Sequence, residues 1–401
     1  MTWETVKLGD IAEFSNGINF NKSAYINGIK FISVSDFGDR FCPLYDELSE
    51  VKKDVVKQND LLHEGDIVFV RSNGNKELVG RCMLIKDLPE PITYSGFVIR
   101  CRFSDCSKYD PVFFTYLFKS KAFRRAMSGT AVGANIQNLS QGRLNAYTAR
   151  IPDYCHQRKI ADVLSAYDDL IENNQKQIKL LEEAAQRLYK EWFVDFRFPG
   201  HETTSIINGL PEGWRIGTLD EVAIDSGKIE KKENRNNFNY YLPIDCLPKE
   251  SLAYTTTDDI SLAESSLISF APGDILFGAM RPYFHKVVVA RDYGLTRSTC
   301  FVINTKVDIL WSYLIMLLFS KETINYATKI SVGTTMPYVR WKDFINMNIV
   351  IPPQNILVTL DRLIKPIIKK TILLAKGIMN FTQARDRLLP KLMSEDSNIN
   401  F

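Results

Sequence analysis

The sequence predicts a mixed α/β (α+β) fold in which two similar domains of short strands and helices are separated by two long antiparallel coiled-coil helices. Three observations predict it. The second half of the chain repeats the first as a pseudo-twofold internal repeat, each half opens with alternating β-rich and helical runs, and each half closes on a heptad pattern. At 401 residues the chain is also longer than one ordinary domain.

The composition is typical of a soluble globular protein, with 45% hydrophobic and 24% charged residues. No stretch has the roughly 20 apolar residues that cross a bilayer, and no signal peptide opens the chain, so we expect a cytoplasmic protein without a membrane segment. The seven cysteines are scattered without a CxxC pair, which favours reduced thiols over disulfides or zinc ligands. The net charge of +3 excludes neither DNA nor protein partners.

The internal repeat is visible as apolar, glycine and proline positions that recur in order. The matched pairs are Trp3 and Trp214, Leu8 and Leu219, Gly65 and Gly273, Phe97 and Phe301, and Pro152 and Pro352. So many coincidences in one order favour a single fold that is used twice.

In the first half, short β-rich runs are separated by Gly, Asn, Asp and Pro turns, the pattern of short strands in a compact sheet. Strands are predicted at 30–34, 65–71, 81–85 and 97–103. Residues 111–127 have helical apolar spacing, and 309–327 repeat it, so one helix is predicted at each place.

Each half then closes with a heptad seam. In the first, the seam residues are Ile160, Leu164, Tyr167, Ile171, Asn174, Ile178, Leu181 and Leu188; in the second, they are Leu360, Ile364, Ile367, Leu374, Ile378, Phe381 and Leu388. Asn174 and Thr371 are polar intruders that we expect to fix the register of a helix pair. Pro366 is expected to kink the second helix or to mark its start.

A helix of about 35 residues is about 50 Å long, and alone it would leave its apolar stripe exposed. Two such stripes in one chain most simply pair with each other, although each helix could instead pack only on its own globular domain. Residues 199–213, rich in Gly, Pro and turn formers, form the linker between the two halves.

Four segments resemble a known family. They are IPDYCHQRKIADVLSAYDDLIENNQKQIKLLEEAAQRLYKEWFVDFRFPGHE (151–202), RDRLLPKLMS (385–394), NGLPEGW (208–214) and GAMRPYFHKV (278–287). They are similar to the specificity subunit of type I restriction-modification systems, and the resemblance covers essentially the whole chain. The chain departs from the pattern where its second long helix begins with QNILVTL rather than a run like HQRKIADVL.

The resemblance implies target-recognition domains at 1–152 and 214–352 and conserved long helices at 153–198 and 353–395. It implies that each domain reads one half of a bipartite double-stranded DNA site, and that the helices set the spacing and dock two modification subunits. Those partners would bring S-adenosylmethionine and adenine methyltransferase chemistry. Restriction subunits would bring ATP, Mg and DNA cleavage, so this chain itself would hold no cofactor and serve bacterial defence as a DNA-binding subunit.

Base edges are read by groups such as Arg, Lys, Asn and Gln, and turns in each half carry them. The candidates in the first half are Arg71, Ser72, Asn73, Lys76, Arg81, Asn135, Gln137 and Asn138; those in the second are Arg281, Tyr283, His285, Lys286, Thr334, Thr335, Tyr338 and Arg340. The alternative is that these are solvated surface turns.

Catalytic motifs are absent from the sequence. It has no [N/D]PP[Y/F] motif, no GxxxxGK[ST] loop, and no His or Cys pair at metal-ligand spacing. We therefore predict a non-catalytic subunit. Two alternatives remain: a specificity chain for a partner that fuses nuclease and methyltransferase, and a coiled-coil scaffold that does not bind DNA.

Overall fold

The computed structural model describes residues 2–21, 24, 27–38, 40–73, 78–127 and 137–394. The chain forms two compact units. Unit 1 consists of residues up to 169 together with those from 382 onwards, and unit 2 consists of residues 170–381. Both long helices contribute residues to both units, so the units cut across the domain boundaries predicted from the sequence.

Unit 1 contains a four-stranded sheet, a three-stranded sheet and two short strand pairs. Its strands are β1 (Trp3–Lys7), β2 (Ala12–Asn16), β3 (Ile29–Ile32), β4 (Glu50–Val51), β5 (Ile67–Val70), β6 (Ser72–Asn73), β7 (Cys82–Leu84), β8 (Ile92–Tyr94), β9 (Val98–Phe103), β10 (Gln137–Asn138) and β11 (Thr148–Pro152). The strand orders are β2-β9-β5-β7 and β4-β3-β8, with β1 paired to β11 and β10 to β6.

The four-stranded sheet of unit 1 is buried on both faces. Ile67 and Phe69 of β5 pack with the helices, whereas Val68 and Val70 face the core beneath the three-stranded sheet. Alternate side chains of a strand point to opposite faces, so a strand between two cores is apolar throughout, as β5 is.

The helices of unit 1 are α1 (Leu8–Ile11), α2 (Pro111–Lys119), α3 (Lys121–Met127), α4 (Gln141–Ala146) and the first part of α5 (Tyr154–Phe193). The single helix predicted over 111–127 is wrong, because Ser120 is extended (φ −61°, ψ 146°) and divides it into α2 and α3. The Ser120 hydroxyl accepts a hydrogen bond from Phe123 N (3.2 Å) and so caps α3.

Unit 2 repeats this plan with two four-stranded sheets. Its strands are β12 (Ile206–Ile207), β13 (Leu210–Pro211), β14 (Arg215–Thr218), β15 (Ala223–Asp225), β16 (Lys228–Glu230), β17 (Tyr240–Tyr241), β18 (Leu267–Phe270), β19 (Ile275–Gly278), β20 (Val287–Val289), β21 (Gly294–Arg297), β22 (Cys300–Thr305) and β23 (Asn348–Ile351). The orders are β15-β22-β19-β20 and β16-β18-β21-β17, with β14 paired to β23 and β12 to β13.

The helices of unit 2 are α6 (Leu219–Val222), α7 (Trp311–Leu318), α8 (Lys321–Ile330), α9 (Trp341–Phe344), most of α10 (Gln354–Leu392) and the remainder of α5. The predicted helix over 309–327 is again two helices. Ser320 divides them, and its side chain accepts a hydrogen bond from Thr323 N at the start of α8.

The two units confirm the internal repeat and correct its register at one place. The strand pairs Ile67↔Cys101 and Ile275↔Ile303 occupy equivalent places in the two units. Counting from them along β9 and β22, Phe97 corresponds to Thr299 and not to Phe301. A two-residue slip keeps the same side chains on each face, and the sequence match could therefore not detect it.

The long helices are antiparallel within each unit. In unit 1, Ile160 and Leu164 of α5 share a core with Leu388 and Leu392 of α10. In unit 2, Ile178 packs with Leu374 and Ile378, whereas Trp192, further along α5, shares the core that contains Leu360, nearer the start of α10. Every seam position predicted from the sequence is buried or half-buried.

Pro366 lies inside α10, which begins at Gln354, so of the two alternatives for this proline the start of the second helix is wrong, and the kink stays a prediction. The helix starts directly after Pro352 and Pro353, where proline needs no amide donor.

Candidate nucleic-acid interface

In unit 1, three segments meet at the end of strand β5. Arg71 N donates to Phe97 O (2.8 Å), and Leu139 N donates to Arg71 O (2.8 Å). Strand β6 continues from Arg71 and pairs with β10, with Ser72 opposite Asn138. The structure therefore brings together two candidate segments that are distant in the sequence.

Unit 2 builds the same backbone ladder. Ala279 N donates to Thr299 O (2.9 Å), and Val339 N donates to Ala279 O (2.9 Å). Met280 then pairs with Tyr338. Ser72 thus corresponds to Met280 and Asn138 to Tyr338, so one scaffold carries unlike side chains in the two units.

The candidate side chains of unit 1 differ in exposure. Asn138 is exposed, Ser72 and Arg81 are half-buried, and the half-buried Arg71 donates from Nη1 to Gly96 O (3.0 Å). Arg71 therefore fixes the backbone beside Phe97 as well as carrying charge to this edge. Lys76 and Asn135 lie outside the described residues, as do the side chains of Asn73 and Gln137.

Sequence reasoning missed Phe97, whose side chain is 59% exposed at this edge. The sequence comparison matched it with Phe301, whereas the strand register places it directly before β9, with its carbonyl oxygen accepting from Arg71 N. No local pattern separates the two possibilities.

In unit 2, Arg281 has a left-handed backbone (φ 50°, ψ 59°), an uncommon conformation for a residue with a side chain. Its backbone N donates to Pro337 O (2.7 Å) and its Nη2 to Thr335 O (3.3 Å). Its Nε is buried and finds no acceptor within the described part of the chain. Arg281 consequently ties the two candidate segments of unit 2 together.

The next candidates of unit 2 point in different directions. Tyr283 is 49% exposed and contacts Phe284 edge to face, with ring centroids 4.8 Å apart. His285 is only 8% exposed, and its Nε2 lies 3.0 Å from Phe319 O. Burial lowers the pKa of His285, so its ring is neutral at physiological pH. Lys286 donates from Nζ to Ile244 O (2.7 Å). His285 and Lys286 thus support the loop from within.

The second segment of unit 2 presents several exposed groups. Thr334, Thr335 and Arg340 are exposed, and Arg340 Nε pairs with Asp343 Oδ2 (2.6 Å) at the start of α9. Tyr338 is half-buried and donates from its hydroxyl to Ser298 O (3.2 Å). Hydroxyl and guanidinium groups that can reach base edges or phosphates therefore lie around one loop.

The described residues contain no cluster of three or more His, Cys, Asp or Glu side chains that could hold a metal ion. All seven cysteines are free thiols. Within the described ranges, no helix combines the length and apolar character needed to cross a membrane.

Comparison with known proteins gives one consistent result. Residues 1–183 and 211–378 both match the family model for the type I restriction modification DNA specificity domain. The chain is 28% identical over 296 residues to the type I restriction enzyme MjaIX specificity subunit of Methanocaldococcus jannaschii, with 69% of this chain and 67% of that protein covered. It is 22% identical to the HindI specificity subunit of Haemophilus influenzae, with 98% and 99% covered.

Among solved structures, the S subunit of a type I restriction-modification system from M. genitalium has a similar fold. The TM-score is 0.60 at 15% sequence identity, and the match covers 98% of this chain and 96% of that one. At this identity the likeness concerns the fold alone.

Proposed function

The chain belongs to the type I restriction-modification DNA specificity family, and from this premise we propose that each of its two units reads one half of a bipartite double-stranded DNA target. It is a non-catalytic specificity subunit, the role named in its relatives. Sequence reading is its contribution to DNA modification and restriction.

One observation carries this proposal. The same ladder at the end of β5 and β19 holds Ser72 and Asn138 in unit 1 but Met280 and Tyr338 in unit 2. A shared backbone with unlike hydrogen-bonding groups is what two different half-sites require, since base edges are distinguished by side chains. The exposed side chains of each edge would contact the bases. His285 and Lys286, which are turned inward, would instead position the loop.

The partners follow from the same proposal. Two modification subunits, docked on the long helices, would supply S-adenosylmethionine and adenine methylation. Restriction subunits would supply ATP, Mg and cleavage, all in the cytoplasm. The helices would set the spacing between half-sites, because a helix is stiff and has a fixed rise of about 1.5 Å per residue.

The test is methyladenine mapping by long-read sequencing in cells that express this chain with its neighbouring modification subunit. Methylation at an interrupted two-part motif, absent with the modification subunit alone, is the expected result. Asn138→Ala should relax one half of the motif. Thr335→Val, which replaces one hydroxyl of unit 2 with a methyl group of similar size, should relax the other half.

Arg197→Ala is the control, because this exposed residue follows the end of α5 at Phe193 and lies outside both the long helices and the candidate edges. It should leave the motif unchanged. If Asn138→Ala and Thr335→Val relaxed both halves equally, the assignment of one half-site to each unit would be wrong. A soluble complex that methylated no new motif would contradict DNA reading altogether.

A further inference from the structure

In unit 2, residues 332–338 form a small closed loop at the candidate edge. Val332 N donates to Tyr338 O (3.0 Å), and Tyr338 N donates to Val332 O (2.9 Å). Gly333 supplies the left-handed backbone (φ +99°) that the turn needs. Arg281 fastens the loop from outside through Pro337 O and Thr335 O. The loop is therefore fixed in shape before any ligand arrives.

This fixed loop presents an apolar side chain to solvent. Met336 is 60% exposed, and Val332 is 48% exposed beside it, with Thr334 and Thr335 also exposed. A single exposed apolar residue is common on protein surfaces and by itself indicates nothing. Here, however, it stands on a braced loop among the hydrogen-bonding groups that are proposed to face DNA.

The side chains at the corresponding ladder positions of the two units differ in polarity. Unit 1 carries Ser72 and Asn138, which offer a hydroxyl and an amide, whereas unit 2 carries Met280 and Tyr338. At these two ladder positions unit 2 thus carries the more apolar pair of side chains, which favours a base that offers an apolar contact.

In the major groove of DNA, only the A·T base pair presents an apolar group for such a contact. Thymine presents its 5-methyl group there, and apolar side chains recognise that methyl. We infer that Met336 is a specificity-determining residue that contacts the 5-methyl group of a thymine in the half-site read by unit 2. This inference rests on the proposed function and adds one base of its target.

The experiment uses the complex of the full chain with its modification subunit and a duplex that carries the motif found by methylation mapping. Each thymine of the half-site relaxed by Thr335→Val is replaced in turn by deoxyuridine, which lacks only the methyl group. For the unchanged chain, one of these replacements should raise the equilibrium Kd about fourfold, because burial of one methyl group contributes about that factor to binding. With Met336→Ala that replacement should have no effect, and Met336→Leu should keep it.

Tyr293→Ala is the matched control. Tyr293 is 67% exposed and follows β20, whose Val289 pairs with Ile275 at the opposite end of β19 from Arg281. It should leave the deoxyuridine effect intact.

Three outcomes would overturn the inference: no thymine of that half-site responds to deoxyuridine, Met336→Ala keeps the full response, or Met336→Ala weakens target and random duplexes alike. Weaker binding of a random duplex would indicate that Met336 contacts the sugar-phosphate backbone of DNA and not a base. If methylation mapping gave no bipartite motif at all, the proposed function would itself fail, and this inference with it.

Discussion

Asp66 and Asp274 stabilise equivalent turns in the two units, but the two carboxylates bind different side chains. Each carboxylate accepts a backbone hydrogen bond from three residues earlier, His63 N (2.7 Å) and Ala271 N (2.8 Å), respectively. Asp66 binds the Arg102 guanidinium in a bidentate pair, whereas Asp274 accepts from the Asn304 amide (2.7 Å). The turn is thus retained while its charge balance changes.

Gln157, on α5, shows what is exchanged at the position where the start of the second long helix departs from a run like HQRKIADVL. Its side chain is buried, accepts from Asp110 N (3.0 Å) and donates to Pro152 O (2.9 Å). The equivalent position in unit 2 is Leu357, which is buried in the apolar core. The departure therefore exchanges a buried polar link for apolar packing.

Glu182, on α5, is the buried acid whose ionisation should be visible in stability. Its side chain is 5% exposed and accepts from Leu252 N (2.7 Å) and Ser251 Oγ (2.9 Å). Burial raises the pKa of Glu182 to about 7 from its ordinary 4.5, against the opposing effect of those hydrogen bonds. The folded chain holds a proton there that the unfolded chain releases, so stability falls as pH rises from 4.5 to 7.

We predict that Glu182→Gln, which keeps the acceptor oxygen and removes the charge, raises the free energy of unfolding by about 1 to 3 kcal/mol at pH 8. Near pH 5 the gain should be below about 1 kcal/mol. Thermal unfolding across this pH range measures it, with the exposed neighbour Glu183→Gln as control. A gain of equal size at both pH values would show that ionisation of Glu182 is not its cause.

At the scale of elements, polar contacts fasten the globular part of unit 1 to its helix pair. The Tyr116 hydroxyl on α2 donates to Asp168 Oδ2 on α5, and Arg385 on α10 pairs with the other oxygen of Asp168. The carboxylate is mostly buried, with 16% of its side chain exposed. Three elements therefore share one acceptor.

Asp168→Ala should destabilise unit 1 by about 1 to 3 kcal/mol, since it removes the acceptor of the Tyr116 hydroxyl and one of the two carboxylates that bind the mostly buried Arg385 guanidinium, which keeps its pair with Asp386 (2.8 Å). The triple variant Asp168→Leu, Arg385→Met and Tyr116→Phe removes all three polar groups together and should recover most of that loss. Denaturant unfolding of the three proteins measures the difference. A triple variant no more stable than Asp168→Ala would mean that the site stabilises by packing alone.

Within the helix pair of unit 2, Asn174 lies against the partner helix as the heptad pattern led us to expect. Its Nδ2 donates weakly to Leu374 O (3.4 Å) and would be 2.9 Å from a Cβ placed on Gly377. Thr371 is fully buried nearby, and its hydroxyl has no partner in the described part of the chain. The register role of both residues stays a prediction.

At the scale of the whole molecule, each unit has its own apolar cores. The cores that contain Phe69 and Val68 draw only on unit 1, and those that contain Phe277 and Leu276 draw only on unit 2. Among the described residues, each candidate edge therefore rests on apolar packing that its own unit supplies.

We predict that Asn138→Ala and Thr335→Val act additively. In the double variant, the loss of binding free energy for the full target should equal the sum of the two single losses to within about 0.5 kcal/mol. Binding titrations of the complex with duplexes mismatched in one half-site at a time measure this. A coupling energy well above that limit would mean that the two units do not read independently.

The sequence by itself determined the internal repeat, the mixed strand and helix content, and the two seams that line α5 and α10. These features are legible because they are periodic: strands alternate every two residues, and helices repeat every three or four. The family resemblance, carried by long ordered segments such as 151–202, added the function, and the family match of both halves agrees with it.

The tertiary structure alone decided which loop side chains face outward. His285 and Lys286 have the composition of DNA-reading residues but bind carbonyl groups of their own unit, whereas Phe97 and Met336 are apolar yet exposed at the candidate edges. Similarly, Ser120 and Ser320 end helices that apolar spacing would have continued. Each outcome depends on strand register and on contacts between residues distant in the chain, which a local pattern does not encode.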